Sequence, residues 1–274
     1  MITNSKLLID ADCPMCKIYG KAFLKFGLIE NDVLSSYQQV EESISKSIDM
    51  DRAKSEIALI DLTNNQVVYG IDAFTRILTR ENSLLRKTVK RQPLRFFVKL
   101  VYSLISLNRH VIVRPSSTCS SPLCSPELHR GYRTTYGLIT AFFTAFILSN
   151  YFRPVFADAG LELPPYFEYA MCLGQIVWQG FVISIVNKNE SWDYLGHVST
   201  ISLIGAILLI PPYLIASIFG LPSLYLLGAF GLVVVIMIQE HVLRTNRLGL
   251  GHALTFTWIA YRLLILFIIS ILFL

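Results

Sequence analysis

The part of the chain that follows residue 133 is too apolar for a water-soluble protein. Residues 134–274 carry 11 charged side chains, whereas residues 1–133 carry 32. A helix needs about 20 apolar residues to cross a bilayer. Five such stretches lie at about 134–151, 166–186, 197–220, 222–241 and 252–274. This pattern predicts an all-α bundle of about five transmembrane helices, and it excludes a fully soluble protein, a disordered chain and a disulfide-stapled secreted module.

Lysine and arginine near the ends of the predicted spans indicate their orientation. Basic residues cluster before the first span, after the second and after the fourth, and include Arg130, Arg133, Lys188, Arg244 and Arg247. The loops on the opposite side offer only Arg153, which Asp158 and Glu162 offset. Because cytoplasmic loops carry the excess of basic residues, we expect a cytoplasmic N-terminal domain and an external C-terminus.

A pair of cysteines stands near the start of the charged half, between a predicted strand and a predicted helix. Residues 6–11 are typical of a short buried strand, the sequence C-P-M-C begins at Cys13, and residues 17–27 suit a helix with one apolar face. Two thiols so spaced at a helix start can form a disulfide with little backbone movement, and the helix dipole stabilises a thiolate at an exposed first sulfur. We therefore expect Cys13 to attack a partner disulfide and the more buried Cys16 to resolve the mixed disulfide.

The other predicted elements of the charged half complete a small α/β unit. A second strand is expected within 32–38, a polar helix within 41–54, and a hairpin from 56–62 and 66–70. Asp72 is expected to cap a helix that runs to about residue 80. The resulting order, β-α-β-α-β-β-α, is that of a thioredoxin-like fold. We expect this domain at 1–114, a linker at 115–133 and the transmembrane domain at 134–274.

Several of these residues together resemble a known family. Asp10, Cys13 and Cys16 form a D-x-x-C-x-x-C signature, and 69–74 reads Y-G-I-D-A-F after the hairpin. Tyr102, with Asn108-Arg109, closes a later helix. Residues 4–114 are therefore similar to the DCC family of predicted thiol-disulfide oxidoreductases. The resemblance implies a thioredoxin-like domain with Cys13 and Cys16 as its redox pair.

Two carboxylates flank the first cysteine. Either one raises the pKa of the thiol by like-charge repulsion, and either one can relay a proton to or from the resolving thiol. Asp10 is the better candidate for the relay because it ends a buried strand. Asp12 has an alternative role as the cap of the helix.

Metal binding is the alternative to redox chemistry at this motif. C-x-x-C is half of a zinc site, and Cys119 and Cys124 can supply the other two ligands. A Cu(I) site is a second possibility of the same kind. The strand-turn-helix context favours a redox-active disulfide that needs no cofactor, and zinc and copper are the alternatives.

The linker cysteines have three interpretations of their own. Cys119 and Cys124 lie in a stretch rich in serine and proline, followed by His129. In the first, they are a second dithiol that exchanges with Cys13 and Cys16. In the second, they bind zinc together with His129, and in the third they are ordinary loop thiols. The spacing does not discriminate among these.

A strongly basic segment precedes the linker. Eight lysines and arginines and no acid lie between residues 84 and 114: Arg86, Lys87, Lys90, Arg91, Arg95, Lys99, Arg109 and Arg114. No base-reading motif accompanies this charge, so we do not expect nucleic acid binding. Within it, an apolar helix is expected at 94–107, with Pro93 at its start. The segment fits anionic lipid on the cytoplasmic leaflet.

Polar side chains inside predicted spans are candidates for function. Arg262 lies roughly 16 Å into the last span and can form an anion site, pair with Glu240 or Glu168, or snorkel to the interface. Gln175 and Gln179 share one helix face, a spacing typical of interhelical hydrogen bonding. If the spans form a transport site, these side chains should face one cavity.

The sequence thus predicts a membrane-anchored thiol-disulfide oxidoreductase. Its partner is a protein or a small-molecule thiol or disulfide. The alternative is a membrane transport or assembly protein whose cytoplasmic domain senses redox state or metal.

Overall fold

The structure is a computed structural model that describes residues 4–11, 13–37, 40, 47–79, 87–88, 91–114 and 128–273. Its contacts divide the chain into two compact units, residues 1–133 and 134–274. The first unit contains a sheet and short helices, and the second is entirely helical among its described residues.

The sheet of the first unit has four strands in the order β2-β1-β3-β4. These are β1 (Ser5–Ile9), β2 (Leu34–Ser36), β3 (Ala58–Asp61) and β4 (Gln66–Tyr69). Strand β1 pairs with β2 in parallel and with β3 antiparallel, and β3 and β4 form the predicted hairpin. This mixed sheet confirms the thioredoxin-like fold.

Both faces of the sheet are buried because apolar side chains fill successive positions of β1 and β3. Leu7 and Leu59 point into one core with Phe23, whereas Leu8 and Ile60 point into a second core on the opposite face. Helices therefore cover both sides of the sheet. The described helices of this unit are α1 (Pro14–Lys25), α2 (Met50–Ser55), α3 (Gly70–Leu78) and α4 (Leu94–Ile112).

Two local predictions in this unit differ from the structure. Helix α3 has Tyr69 rather than Asp72 at its N-cap, and Asp72 instead pairs with Arg95 of α4 at 3.1 Å. Helix α4 ends at Ile112 rather than near residue 107. It continues because Asn108 and Arg109 are buried and hydrogen-bonded within the unit, so the polar end of the helix has partners.

The second unit confirms a multi-span membrane protein. It contains five helices long and apolar enough to cross a bilayer. We number them α5 (Arg130–Asp158), α6 (Phe167–Val186), α7 (Ser191–Phe219), α8 (Ser223–Arg247) and α9 (Ala253–Phe273). They coincide with the five predicted spans and are longer at several ends.

Helices α7 and α8 form a hairpin with a very short connection. Gly220 ends α7 in the left-handed region at φ 61°, a conformation that glycine adopts without strain. Earlier in α7, an added methyl group on Gly205 would collide with the sulfur of Met237 on α8. The absence of a side chain at this glycine therefore lets the two helices pack closely.

Candidate functional site

The cysteine pair lies where β1 passes into α1. Cys13 is the N-cap residue of α1, Pro14 begins the helix, and Cys16 lies in its first turn. Both are free thiols. The expectation of an exposed first sulfur is wrong, because Cys13 is 0% exposed and Cys16 3% exposed. Both belong to the apolar core on one face of the sheet, so the strand-helix junction is sealed inside the domain.

Hydrogen bonds stabilise the thiolate of Cys13. The hydrogen bond from the Cys16 thiol makes the largest contribution to lowering the pKa of Cys13, and burial of the sulfur opposes it. Hydrogen bonds from His110 and from the Cys16 backbone, and the positive charge of Arg109, lower this pKa further. Together they lower the pKa of Cys13 to about 4. At neutral pH, Cys13 is therefore ionised.

Cys16 has the opposite character. Its thiol donates to Cys13 and is buried, and both effects raise its pKa well above the ordinary value. The Tyr19 hydroxyl, one turn further along α1, donates to the Cys16 sulfur at 2.8 Å. The pair thus consists of an ionised first sulfur and a protonated second sulfur.

An ion-pair cluster lies beside the dithiol. Arg109 donates to Oδ2 of Asp10 at 3.1 Å, and Nε2 of His110 lies 3.4 Å from the same oxygen. Burial lowers the pKa of His110, but hydrogen bonds to Asp10 and Cys13 outweigh it and raise the pKa above its ordinary value. A Cys13 thiolate beside Asp10 favours the protonated form of His110. In that form two anions face two cations, which is the balance that a buried cluster of charges requires.

One face of α4 delivers these cations to the site. Tyr102, Ser106 and Arg109 lie four and three residues apart, a spacing that places side chains on the same side of a helix. The Tyr102 hydroxyl accepts from the backbone N–H of Ile57 at 3.2 Å. Both Ser106 and Arg109 donate to the carbonyl of Ser55. These contacts hold α4 against residues 55–57, which lead from α2 into β3, so the end of the helix reaches Asp10.

Comparison with known families agrees with this geometry. Residues 7–115 match the model of the family described as DCC1-like thiol-disulfide oxidoreductase. We call residues 7–115 the DCC1-like domain, after the family that they resemble. No curated protein and no solved structure matches the chain.

The structure brings together part of the predicted site and adds to it. Asp10 lies in the cluster of the DCC1-like domain, 1% exposed, as the partner of Arg109 and His110. Asp12, Cys119 and Cys124 lie outside the described residues, so their roles stay predictions.

Sequence reasoning missed the contributions of His110 and Tyr19. It also placed Arg109 in a basic lipid-binding segment, whereas the Arg109 side chain is 5% exposed and its guanidinium bonds to Asp10. The polar stripe of Tyr102, Ser106 and Arg109 on one face of α4 was the available signal.

The DCC1-like domain also contains a group of possible metal ligands. Within the described part of the chain, one ligand atom from each of Asp10, Cys13 and His110 lies within 4.8 Å of the other two. These are oxygen, sulfur and nitrogen donors. The predicted zinc sets, which combined Cys13 and Cys16 with Cys119 and Cys124 or grouped the linker cysteines with His129, did not include His110 or Asp10.

The intramembrane residues predicted to share a site are divided between different places. Gln175 and Arg262 line a small internal cavity of about 10 Å³ together with Thr144, Cys172 and Ser199. Gln179 does not line it and instead accepts from Tyr194. Glu240 pairs with Arg244 at 2.9 Å. Since the cavity has room for about one water molecule, these side chains do not form one solute-sized pathway.

A buried polar network links the ends of several membrane helices. The Tyr194 hydroxyl lies 3.3 Å from Nε2 of His241, and Nδ1 of His241 lies 2.8 Å from the Thr255 hydroxyl. Arg244 hydrogen-bonds to His197 at 2.8 Å. Contacts of this kind hold transmembrane helices together, and they explain why these polar residues occur in apolar spans.

Proposed function

We propose that this protein is a membrane-anchored thiol-disulfide oxidoreductase that uses Cys13 and Cys16. The observation that carries the proposal is the pairing of a hydrogen-bonded thiolate with a neighbouring thiol at the start of α1. A family match across residues 7–115 supports the same chemistry.

The exchange proceeds in two displacements. The Cys13 thiolate attacks one sulfur of the partner disulfide, forming a mixed disulfide and releasing the other sulfur as a thiolate. Cys16 then loses its proton and attacks the Cys13 sulfur, which forms the Cys13–Cys16 disulfide and releases the second partner thiolate. The partner disulfide is reduced by two electrons and the cysteine pair is oxidised by two.

His110 and Asp10 are the groups that handle the proton in this scheme. When Cys13 enters a disulfide its negative charge disappears, which leaves one anion facing two cations. His110 then favours its neutral form, so it can give its proton to the first departing thiolate and afterwards accept the proton that Cys16 loses. That proton then passes to the second departing thiolate. Asp10, which accepts from both Arg109 and His110, orients the imidazole.

Access to the buried sulfurs must precede the first displacement. Because neither Cys13 nor Cys16 has appreciable exposed surface, the partner reaches Cys13 only after a local opening of the domain. A small-molecule disulfide requires a smaller opening than a protein does. The linker dithiol of Cys119 and Cys124 is a second proposed partner, since it belongs to the same chain.

We place the DCC1-like domain in the cytoplasm and the C-terminus outside, on the distribution of lysine and arginine between the loops. The exposed side of α4 favours contact with anionic lipid. Phe96 and Phe97 are more than half exposed there, and Arg91 and Lys99 are exposed nearby. Aromatic and basic side chains in this combination suit a membrane surface.

The experiment is a trapping assay with two cysteine variants. Cys16→Ser should accumulate a mixed disulfide with the partner, and Cys13→Ser should abolish exchange with a small disulfide such as oxidised glutathione. Cys172→Ser removes a buried thiol elsewhere and should exchange like the unaltered protein. Normal turnover in both Cys13→Ser and Cys16→Ser would refute the proposal.

A further inference from the structure

The group formed by Asp10, Cys13 and His110 combines donors that one class of metal ion prefers. Thiolate, imidazole and carboxylate together are the ligands of zinc and of similar borderline divalent ions. Magnesium and calcium favour sites made of oxygen alone, and Cu(I) favours sulfur. The composition of the group therefore points to Zn²⁺ rather than to a hard or a monovalent cation.

The dimensions of the group are close to those of a tetrahedral site. Zinc bonds of about 2.0–2.3 Å place neighbouring ligand atoms about 3.3–3.8 Å apart. The three ligand atoms lie within 4.8 Å of one another, so side-chain shifts of about 1 Å bring them to bonding distance. They come from the end of β1, the start of α1 and the last turn of α4, and the fold holds all three together.

The surroundings supply the outer contacts that metal sites use. Arg109 donates to Asp10 at 3.1 Å and so orients the carboxylate. A carboxylate has a second oxygen and further lone pairs, which allows it to keep this bond and bind an ion. Charge also balances: the ion replaces the proton of His110 and that of Cys16, whose thiol already hydrogen-bonds to Cys13.

We propose that the reduced DCC1-like domain binds one zinc-class divalent cation through Asp10, Cys13 and His110, the three ligands that the fold already holds together. Cys16, whose thiol hydrogen-bonds to Cys13, lies outside that group and turns towards the ion to become the fourth ligand. Binding occupies the sulfur that attacks disulfides, so the ion inhibits exchange reversibly. Oxidation to the Cys13–Cys16 disulfide removes both thiolates and releases the ion. The inhibition rests on the proposed function, whereas the metal site itself does not.

Cobalt titration of the full-length protein in detergent tests the site. The protein is reduced, stripped with a chelator and titrated with Co²⁺, whose thiolate charge-transfer absorption reports sulfur ligation. We expect one ion per chain, displaced by Zn²⁺. His110→Gln and Cys13→Ser should each bind at least about tenfold more weakly. His129→Gln and Cys172→Ser are the matched controls and should bind normally.

A second measurement needs no substitution in the core. Unaltered protein oxidised with diamide should show no cobalt absorption, and reduction should restore it. The proposal is overturned if the oxidised protein or His110→Gln binds cobalt like the reduced unaltered protein. It is also overturned if a Cys119→Ser, Cys124→Ser double variant abolishes binding, because the ligands are then in the linker.

Exchange assays with and without chelator separate the two proposals. If the protein exchanges disulfides in chelator but binds no cobalt, the metal site alone is refuted. Cobalt binding through His110 and Cys13 in a protein that does not exchange disulfides in chelator refutes the proposed function alone.

Discussion

Replacing Arg109 with methionine should destabilise the DCC1-like domain far more than replacing a surface arginine. Arg109 is buried, bonds to Asp10 at 3.1 Å and donates to the carbonyl of Ser55. Methionine fills similar volume but leaves Asp10 with one cation fewer inside the domain. Removal of one partner from a buried ion pair typically costs about 3–5 kcal/mol of unfolding free energy.

Hydrogen exchange measured by mass spectrometry on the full-length protein provides the assay. Peptides that cover β1 and β3 report the opening of the sheet. A loss of about 3–5 kcal/mol corresponds to exchange that is faster by roughly two to three and a half powers of ten. Arg95→Met removes the exposed pair with Asp72 and should change exchange by less than about one power of ten.

The double variant Asp10→Asn, Arg109→Met completes the test. With both charges removed, no unpaired ion remains buried from this pair, so the double variant should be more stable than the sum of the single effects predicts. The reasoning is refuted if Arg109→Met exchanges like Arg95→Met. It is also refuted if the effects of Asp10→Asn and Arg109→Met are additive, because the two side chains then act independently.

Three further outcomes are expected. The far-ultraviolet absorbance of the Cys13 thiolate can be measured in chelator as the difference between the unaltered protein and Cys13→Ser. It should stay constant from about pH 6 to 8 and fall as the pH approaches the lowered pKa of about 4. A midpoint near 8.5 would contradict the hydrogen-bonded thiolate. Gly70→Ala should destabilise the domain by more than the roughly 1–2 kcal/mol expected for Gly27→Ala. Both glycines have positive φ, but only at Gly70 would the added carbon meet other side chains, the Glu56 carboxylate and, at 3.2 Å, the ring of Tyr102, which its bond to Ile57 holds in place. Equal hydrogen-exchange changes would count against this. In the membrane unit, Gly205→Ala should lower the melting temperature in detergent, because the added methyl group collides with Met237. Gly228→Ala should not lower it, because the space around Gly228 is open. The same melting temperature in both variants would show that the helices do not pack as described.

Much of the architecture was predictable because it depends on neighbours in the chain. The five spans follow from runs of apolar residues, and the hairpin of β3 and β4 follows from two short strands with asparagines at the turn. The strand, cysteine pair and helix at the start of the DCC1-like domain follow from local pattern in the same way. The extent of α4 was underestimated, because its last turn depends on burial of Asn108 and Arg109 rather than on local preference.

The site was predictable only in its first segment. Asp10, Cys13 and Cys16 lie within seven residues of one another and form a readable motif. His110 and Arg109 lie about a hundred residues further along, and no spacing in the sequence relates them to the cysteines. The burial of Cys13 was also beyond local reasoning, since exposure depends on what the rest of the domain packs over the helix start.

The sequence by itself determined that part of this chain lies in a membrane and that a dithiol follows a buried strand, because hydrophobic periodicity and short motifs act over a few residues. The tertiary structure decided which charges surround that dithiol. Only the attachment of α4 to residues 55–57, just before β3, brings Arg109 and His110 to Asp10 and Cys13. Electrostatic interactions depend on distance in space, so the acidity of the Cys13 thiol and its ability to bind a metal arise from contacts that the linear order of residues does not contain.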